Sequence, residues 1–389
     1  MIQEAAIQGT LLAFACAWLL VWMLKPVAFR FDLLDHPRSA RKAHETPTPV
    51  TGGLAMTVAA VAGGLFVWEG SEPMIGLLLG MLLLLAVGLL DDLRDLRWYW
   101  RLLAQIAAAL SLYYVGGVRV EQIGNALGFP HHELGPLSLP LTVFATVGLI
   151  NAINLIDGVD GLAGSLVFAA LIMLCAAALY AGNSGLAGNV LILAGAVAGF
   201  LAWNFRFPGR TRAAAFMGNS GSALLGLAMA WVCFRLTQNP GHPVNPVLAL
   251  WLLPVPVADT LVLIVRRIRQ GRSPFHAGCD HVHHCLREAG FGPFGICAVL
   301  VGFSLLTGLA AGQAMRLDVP NVLILAAFLS LCVGWYWLSA KRERAIGVFK
   351  ALRMVLIGDV AGARVVVVPA ASNDDLGLEG AKVKASSKV

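Results

Sequence analysis

The 389-residue chain is poor in charge: Asp, Glu, Lys and Arg together make up 13% of it. Soluble domains carry roughly a quarter, so an ordinary water-soluble globule is excluded. A disulfide framework is absent too. The seven cysteines (Cys16, Cys175, Cys233, Cys279, Cys285, Cys297 and Cys332) are scattered, mostly inside apolar runs, as buried small hydrophobes would be. Cys279 and Cys285 flank a histidine cluster, but Cys-x5-Cys around His-x-His-His is not a usual zinc spacing. No internal repeat is visible, and no inverted repeat of the transporter kind. The first apolar run, Ile7 to Val27, lacks the basic start and short core of a cleavable signal and reads as a retained span.

What is present is apolar length. Hydrophobic residues reach 58% and the mean hydropathy is +0.76. A helix crossing some 30 Å of hydrocarbon needs about 20 apolar residues. Runs of that kind predict helices at 7–27, 51–68, 73–90, 101–118, 139–155, 160–181, 188–204, 217–237, 246–268, 295–315 and 321–340. The fold class expected is therefore all-α, a polytopic membrane bundle of about eleven spans. Residues 1–369 form one membrane domain, followed by a small, polar tail at 370–389 with the composition of disorder. Loops after odd-numbered spans hold most of the basic residues, among them Arg38, Arg41, Lys42, Arg94, Arg97, Arg206, Arg210, Arg212, Arg269, Arg272 and Lys341. The opposite loops offer only Arg119, Arg235 and Arg316. The positive-inside rule puts the amino terminus outside and the carboxyl terminus in the cytoplasm. The net charge of +6 then describes loops beside anionic lipid and anionic substrates, with no nucleic acid implied.

Five polar clusters interrupt the apolar chain, and alternating spans bring all of them to one face. Asp91 and Asp92 end the third run. One such acid marks a solvated helix end, but two at the negative C-terminus of a helix are electrostatically awkward. A divalent cation relieves them. Asn151, Asn154, Asp157 and Asp160 recur every three residues, which on a helix makes one stripe. Inside a bilayer that stripe faces protein or water. It serves either as interhelical glue, worth about 1 kcal/mol per contact, or as a site, and glue does not need two acids on a turn. Gly218-Asn219-Ser220-Gly221-Ser222 opens the eighth span. It reads as a closely packed, capped helix start and as a nest of N–H groups suited to phosphate. His281, His283 and His284 follow a run of arginines and fit a metal or a pyrophosphate. The loop from Asp35 to Gly53, with Lys42 and His44, is basic and turn-rich.

In this order the clusters resemble the polyprenyl-phosphate N-acetylhexosamine-1-phosphate transferases, of glycosyltransferase family 4 type. The match runs from about Asp35 to Gly290, with a similar eleven-span, N-out topology. Arg41-Lys-Ala-His-Glu-Thr-Pro-Thr-Pro-Val-Thr-Gly-Gly53 looks like the family's first cytoplasmic motif, Asp91-Asp92 like its aspartate pair, and Asn151-Ala-Ile-Asn-Leu-Ile-Asp-Gly-Val-Asp-Gly-Leu162 like its most specific signature. His281-Val-His-His284 after Ser273-Pro-Phe is similar to the histidine motif of the bacterial branch that uses UDP-N-acetylglucosamine.

The resemblance implies transfer of N-acetylhexosamine 1-phosphate, GlcNAc-1-phosphate first among them, from a UDP-sugar to undecaprenyl phosphate. UMP is released, and the reaction starts a cell-envelope polysaccharide such as O-antigen. It implies Mg²⁺, with Mn²⁺ as a substitute, held by Asp91, Asp92, Asp157, Asp160 and Asn219. The same four aspartates are the expected catalytic groups, Asp91 acting on the acceptor phosphate. Lys42, His44, Asn151, Asn154, His281, His283 and His284 are expected to contact substrate. It also implies a multi-pass protein of the bacterial inner membrane, among membrane lipid, with a cytoplasmic site and a homodimer as the candidate assembly. One departure stands out. The family usually has Gly-Asp-x-Gly-Ser where this chain has Gly218-Asn219-Ser-Gly-Ser222, and an amide oxygen lacks the charge that Mg²⁺ favours. Weaker metal binding, or a silenced homologue acting as an assembly partner, follows from that change. The rival class is a secondary transporter, but its ion sites usually lie near the midplane rather than at helix ends.

Overall fold

A computed structural model describes residues 4–36, 46–126, 133–207, 209–238, 244–273 and 280–358. Lys42, His44, Cys279 and the tail after Gly358 lie outside the described residues.

The described residues are mostly helical, and each of the eleven expected spans falls on a helix. α1 (Glu4–Arg30), α3 (Glu72–Arg94), α5 (Ser138–Ile156), α6 (Leu162–Tyr180), α7 (Ser184–Asn204), α8 (Gly218–Thr237), α12 (Pro293–Arg316) and α13 (Asn321–Ser339) are each long and apolar enough to cross a bilayer. This is a multi-pass membrane protein.

Three expected spans depart from a simple rod. α2 (Gly52–Gly64) has only thirteen residues before a 3₁₀ turn, Leu65–Val67. α4 (Trp98–Leu110) runs on through a π turn, Ser111–Val115. The ninth breaks into α9 (Pro246–Leu252) and α10 (Pro254–Arg269), bent by 93°. The break has a local cause, since Pro254 has no N–H and its ring forces the preceding residue, Leu253, out of helical geometry. Two further helices were not expected: α11 (Val282–Glu288), which carries the histidines, and α14 (Arg342–Ile357).

α8 is the central post. Sixteen of its twenty residues are buried, and α2, α3, α5 and α7 pack around it. Small residues make this possible, as expected where no hydrophobic force separates helix from lipid. Gly226 meets the Ile150 backbone on α5, and Gly88 on α3 meets Ser220. α1 lies outside, against α7 and α2, and presents Leu11, Trp18 and Trp22 outward.

One short hairpin, β1 (Leu34–Asp35) with β2 (Thr48–Pro49), follows α1. It is stitched to the start of α8: Phe216 N–H donates to Pro49 O at 2.8 Å, and Gly52 and Gly53 N–H to Phe216 O and Met217 O at 3.0 Å. The C-terminal ends of α1, α3, α5 and α7 and the N-terminal ends of α2 and α8 therefore share one end of the bundle.

Candidate active site

Asp92, on the last turn of α3, reaches the first turn of α8. Asn219 N–H donates to Asp92 Oδ1 at 2.8 Å, and Ser220 Oγ to Oδ2 at 3.0 Å. The N–H groups that the sequence offers to phosphate are thus taken by a carboxylate of the chain itself, an acid at the positive end of a helix. Gly218 makes room for it. Its φ is +76°, and a Cβ there would lie 2.6 Å from Asp92 Oδ2 and 2.3 Å from Val50.

Asp91 faces elsewhere. It is 3% exposed, accepts from Leu96 N–H at 2.8 Å, and has Arg101 Nη1 3.4 Å from its other oxygen. These bonds hold the turn between α3 and α4, so the two adjacent acids do different work.

The stripe on α5 also divides. Asn151 Nδ2 donates to Gln105 Oε1 on α4 at 2.7 Å, a bond inside the bundle. Asn154, one turn nearer the end, donates to Asn219 Oδ1 at 3.0 Å and Ser222 Oγ at 2.9 Å. Asn219 is thereby fixed through both its amide oxygen and its backbone. Beyond α5 the chain turns through Asp157 to Gly161. Asp160 Oδ2 accepts from Arg206 Nε at 2.6 Å and Ala213 N–H at 3.0 Å, both in the α7–α8 loop. No hydrogen bond or ion pair among the described residues reaches the Asp157 carboxylate. Enclosure in the bundle, and after it the charges of Asp160 and Asp92, pushes Asp157 up to about 7.

The histidine helix closes the other side. His283 is 1% exposed and lies on the Asp157–Asp160 turn: a Cβ on Gly158 would sit 2.4 Å from His283 Nε2. Only glycine allows this approach. Arg287 Nη2 donates to Gly158 O at 3.0 Å. The His281 and His283 rings are parallel with centroids 5.7 Å apart, and His284 lies 4.2 Å from His283. Burial holds His283 well below the ordinary imidazole range and brings His284 to about 4, the Arg287 and neighbouring imidazole charges adding to it. Both rings are neutral at pH 7. Among the described residues, His283 Nδ1 is buried without a partner.

Asp259 is a residue the cluster reading missed. From α10 its Oδ2 lies 2.7 Å from His281 Nδ1, and its Oδ1 accepts from Val282 N–H at 3.2 Å and Trp335 Nε1 at 3.0 Å. A signal was available: it is an acid inside the apolar run 246–268, and an ionisable group at membrane depth is functional by default.

Four of the five clusters thus meet at one end, and the fifth does so through its described portion, Thr46 to Gly53. Among the described residues no three His, Cys, Asp or Glu lie close enough together to form a ready metal cage. The donor chemistry fits a less demanding ion. Asp157 is unpartnered, Asp92 and Asn219 offer further hard oxygens, and Mg²⁺ keeps several waters and takes one or two carboxylates. Asp91 and Asp160 are committed to arginines.

Residues 74–237 match the model of glycosyl transferase family 4. The undecaprenyl-phosphate alpha-N-acetylglucosaminyl 1-phosphate transferase of Yersinia pestis is 33% identical over 324 residues, 81% of this chain and 86% of that protein. The chain belongs to this family. Transferases of the same name from Haemophilus influenzae (34% identical, 71% of this chain, 78% of that protein) and Escherichia coli K12 (32%, 70% and 74%) also match. The matched family segment holds Asp91, Asp92, Asn154, Asp157, Asp160 and Asn219, while Asp259 and the histidines lie beyond it.

Proposed function

We propose that this family member transfers N-acetylhexosamine 1-phosphate, GlcNAc-1-phosphate in the first instance, from a UDP-sugar to undecaprenyl phosphate. UMP leaves, and the product starts a cell-envelope polysaccharide. The observation that carries the reading is the position of the Asp157–Asp160 turn. It is held between a carboxylate-capped helix start, Asp92 on α8, and a roof of imidazoles, with one free carboxylate in the middle. The relatives' names supply the acceptor and the sugar. The basic loops at this end support a cytoplasmic orientation, on the side where a nucleotide sugar is found.

In the reaction an acceptor phosphate oxygen attacks the sugar-bearing phosphorus of the donor, and the bond from that phosphorus to the UMP oxygen breaks. Both reactants are anions, so repulsion must be suppressed and charge on the leaving phosphate accommodated. Asp157, with Asp92 and Asn219 beside it, would hold Mg²⁺, which would supply that charge neutralisation. Asn154 keeps the Asn219 oxygen in place. Asp160 positions the turn through Arg206. His281, His283 and His284 contact the donor diphosphate, and Arg287 brings positive charge to the same edge. Asp91 supports the α3 end through Arg101, a different role from the one expected of it.

Membranes containing the protein, given UDP-[³H]GlcNAc, undecaprenyl phosphate and Mg²⁺, are expected to carry label into the organic phase and to release UMP in equal amount. A panel of UDP-N-acetylhexosamines giving no lipid-linked label would overturn the reading. Transport is disfavoured by position, because Asp91, Asp92, Asp157 and Asp160 gather at helix ends rather than at midplane breaks.

A further inference from the structure

On the flank of the bundle, at the same end as the site, two cations meet one indole. Lys25 Nζ on α1 lies 4.2 Å from the centre of the Trp203 ring on α7, and Arg210 Cζ from the α7–α8 loop lies 5.9 Å from it. Other rings among the described residues that carry a cation carry one each, such as Tyr113 with Arg119 and Tyr180 with Arg316. The arrangement is built. Trp203 Nε1 donates to Trp18 O at 2.9 Å, the two indoles lie 5.6 Å apart, and Arg210 Nη1 donates to Ala202 O at 2.7 Å.

The two cations repel each other, and no carboxylate among the described residues pairs with either. Three acids at this end are engaged elsewhere: Asp160 with Arg206, Asp91 with Arg101, Asp32 with His36. The surface faces outward, for Trp18, Trp22 and Phe29 on α1 are exposed. An outward-facing basic pair with tryptophans, near the ends of two spanning helices, lies at headgroup depth. Basic pockets between such helices take anionic headgroups.

We propose that Lys25, Arg210 and Trp203 bind the phosphate headgroup of an anionic phospholipid. The lipid phosphate pairs with the two cations, and its glycerol and upper acyl chains lie along Trp18 and Trp203. The proposal depends on the membrane reading of α1 and α7 and not on the transfer chemistry. It has a consequence for the site. Arg210 belongs to the loop whose Arg206 and Ala213 N–H hold Asp160, and whose Arg212 donates to Thr46 Oγ1 at 2.8 Å. A lipid on Arg210 pins that loop.

The test is native mass spectrometry and thermal unfolding of the full chain, purified in mild detergent and supplied with phosphatidylglycerol or phosphatidylcholine. The wild type is expected to retain phosphatidylglycerol preferentially and to gain thermal stability from it. Retention should weaken about tenfold or more in Lys25→Gln/Arg210→Gln, since each basic group near an anionic surface contributes on the order of 1 kcal/mol. Lys25→Arg should keep it, and so should Arg316→Ala, which removes a single cation–π cation elsewhere. The single variants Lys25→Gln and Arg210→Gln serve if the double variant fails to fold. Equal phosphatidylglycerol retention by wild type and variants would overturn the proposal. So would displacement by millimolar inorganic phosphate, which marks a soluble-anion site, or one-for-one displacement by undecaprenyl phosphate, which marks an acceptor site.

Discussion

Asp259 and His281 face each other across the α10–α11 junction, Oδ2 to Nδ1 at 2.7 Å. Because the carboxylate also accepts from Val282 N–H and Trp335 Nε1, it acts as the acceptor and the proton sits on Nδ1. Nε2 is left for a ligand, and the ring cannot rotate. Partners of this kind affect activity by about 10–100-fold when removed. Asp259→Asn should therefore lower kcat/KM for the UDP-sugar by that factor with the amount of protein in the membrane unchanged. Unchanged initial rates at limiting donor would show the pair to be structural only.

Asp157 is an enclosed carboxylate among like charges with no hydrogen bond from the described residues, an arrangement that costs stability until a cation arrives. Asp157→Asn should raise or preserve Tm in EDTA while lowering transfer by about 100-fold or more, the scale of losing one preorganised charge-stabilising group. Mg²⁺ should raise the Tm of the wild type and leave that of the variant unchanged. Equal Mg²⁺ stabilisation of the two proteins would remove Asp157 from the ion site.

Gly158 carries His283 against its backbone, with a Cβ position 2.4 Å from Nε2. Gly158→Ala must displace the ring, at about 1–3 kcal/mol for overpacking. Donor KM should rise more than acceptor KM, because the displaced helix is the one proposed to hold the diphosphate. Steady-state rates with each substrate varied in turn will show whether both constants move alike, which would contradict the assignment.

Protonation offers an independent check. The folded chain keeps His284 neutral, its pKa brought to about 4, whereas an unfolded histidine titrates near 6.5. Between those values the unfolded state binds the extra proton, so this contribution is complete above about pH 6.5 and disappears as pH falls toward 4. His283 is displaced in the same direction. Tm should fall between pH 7 and pH 5, and His284→Gln should flatten part of that slope. A variant with the wild-type slope would show that His284 does not carry it.

Asn219→Asp puts a carboxylate where Asn154 Nδ2 already donates to the side-chain oxygen. Mg²⁺ should be needed at about tenfold lower concentration for half-maximal transfer, at some loss of stability in EDTA from a new charge beside Asp92. Transfer by the variant with none by the wild type would identify the natural protein as a silenced homologue.

Much of this was legible without coordinates. Apolar runs of bilayer length fell on helices at all eleven expected positions, eight of them long and apolar enough to cross a bilayer, because lipid leaves the backbone no alternative to helix. The pairing of acids, amides and imidazoles with span ends put the site at one end. The proline pair Pro254 and Pro256 carried the signal for the broken ninth span, but hydropathy averaged over the run conceals a right-angle turn. The division of labour within each motif was not legible. Asp91 and Asp92 are neighbours in the chain yet point to Arg101 and to α8, since consecutive residues on a helix face about 100° apart. Asn151 and Asn154 share a stripe but meet different helices.

From its own letters, then, this chain was bound to be a helical membrane bundle with its polar chemistry gathered at one interface, because period, length and the cost of unsatisfied groups in hydrocarbon are local properties. Which carboxylate caps a helix, which pairs with arginine and which stays free depended on α8 standing at the centre with α3 and α5 against it. Those partners lie up to 128 residues apart, as Asp92 and Ser220 do. Only the packing of small residues between helices brings them together.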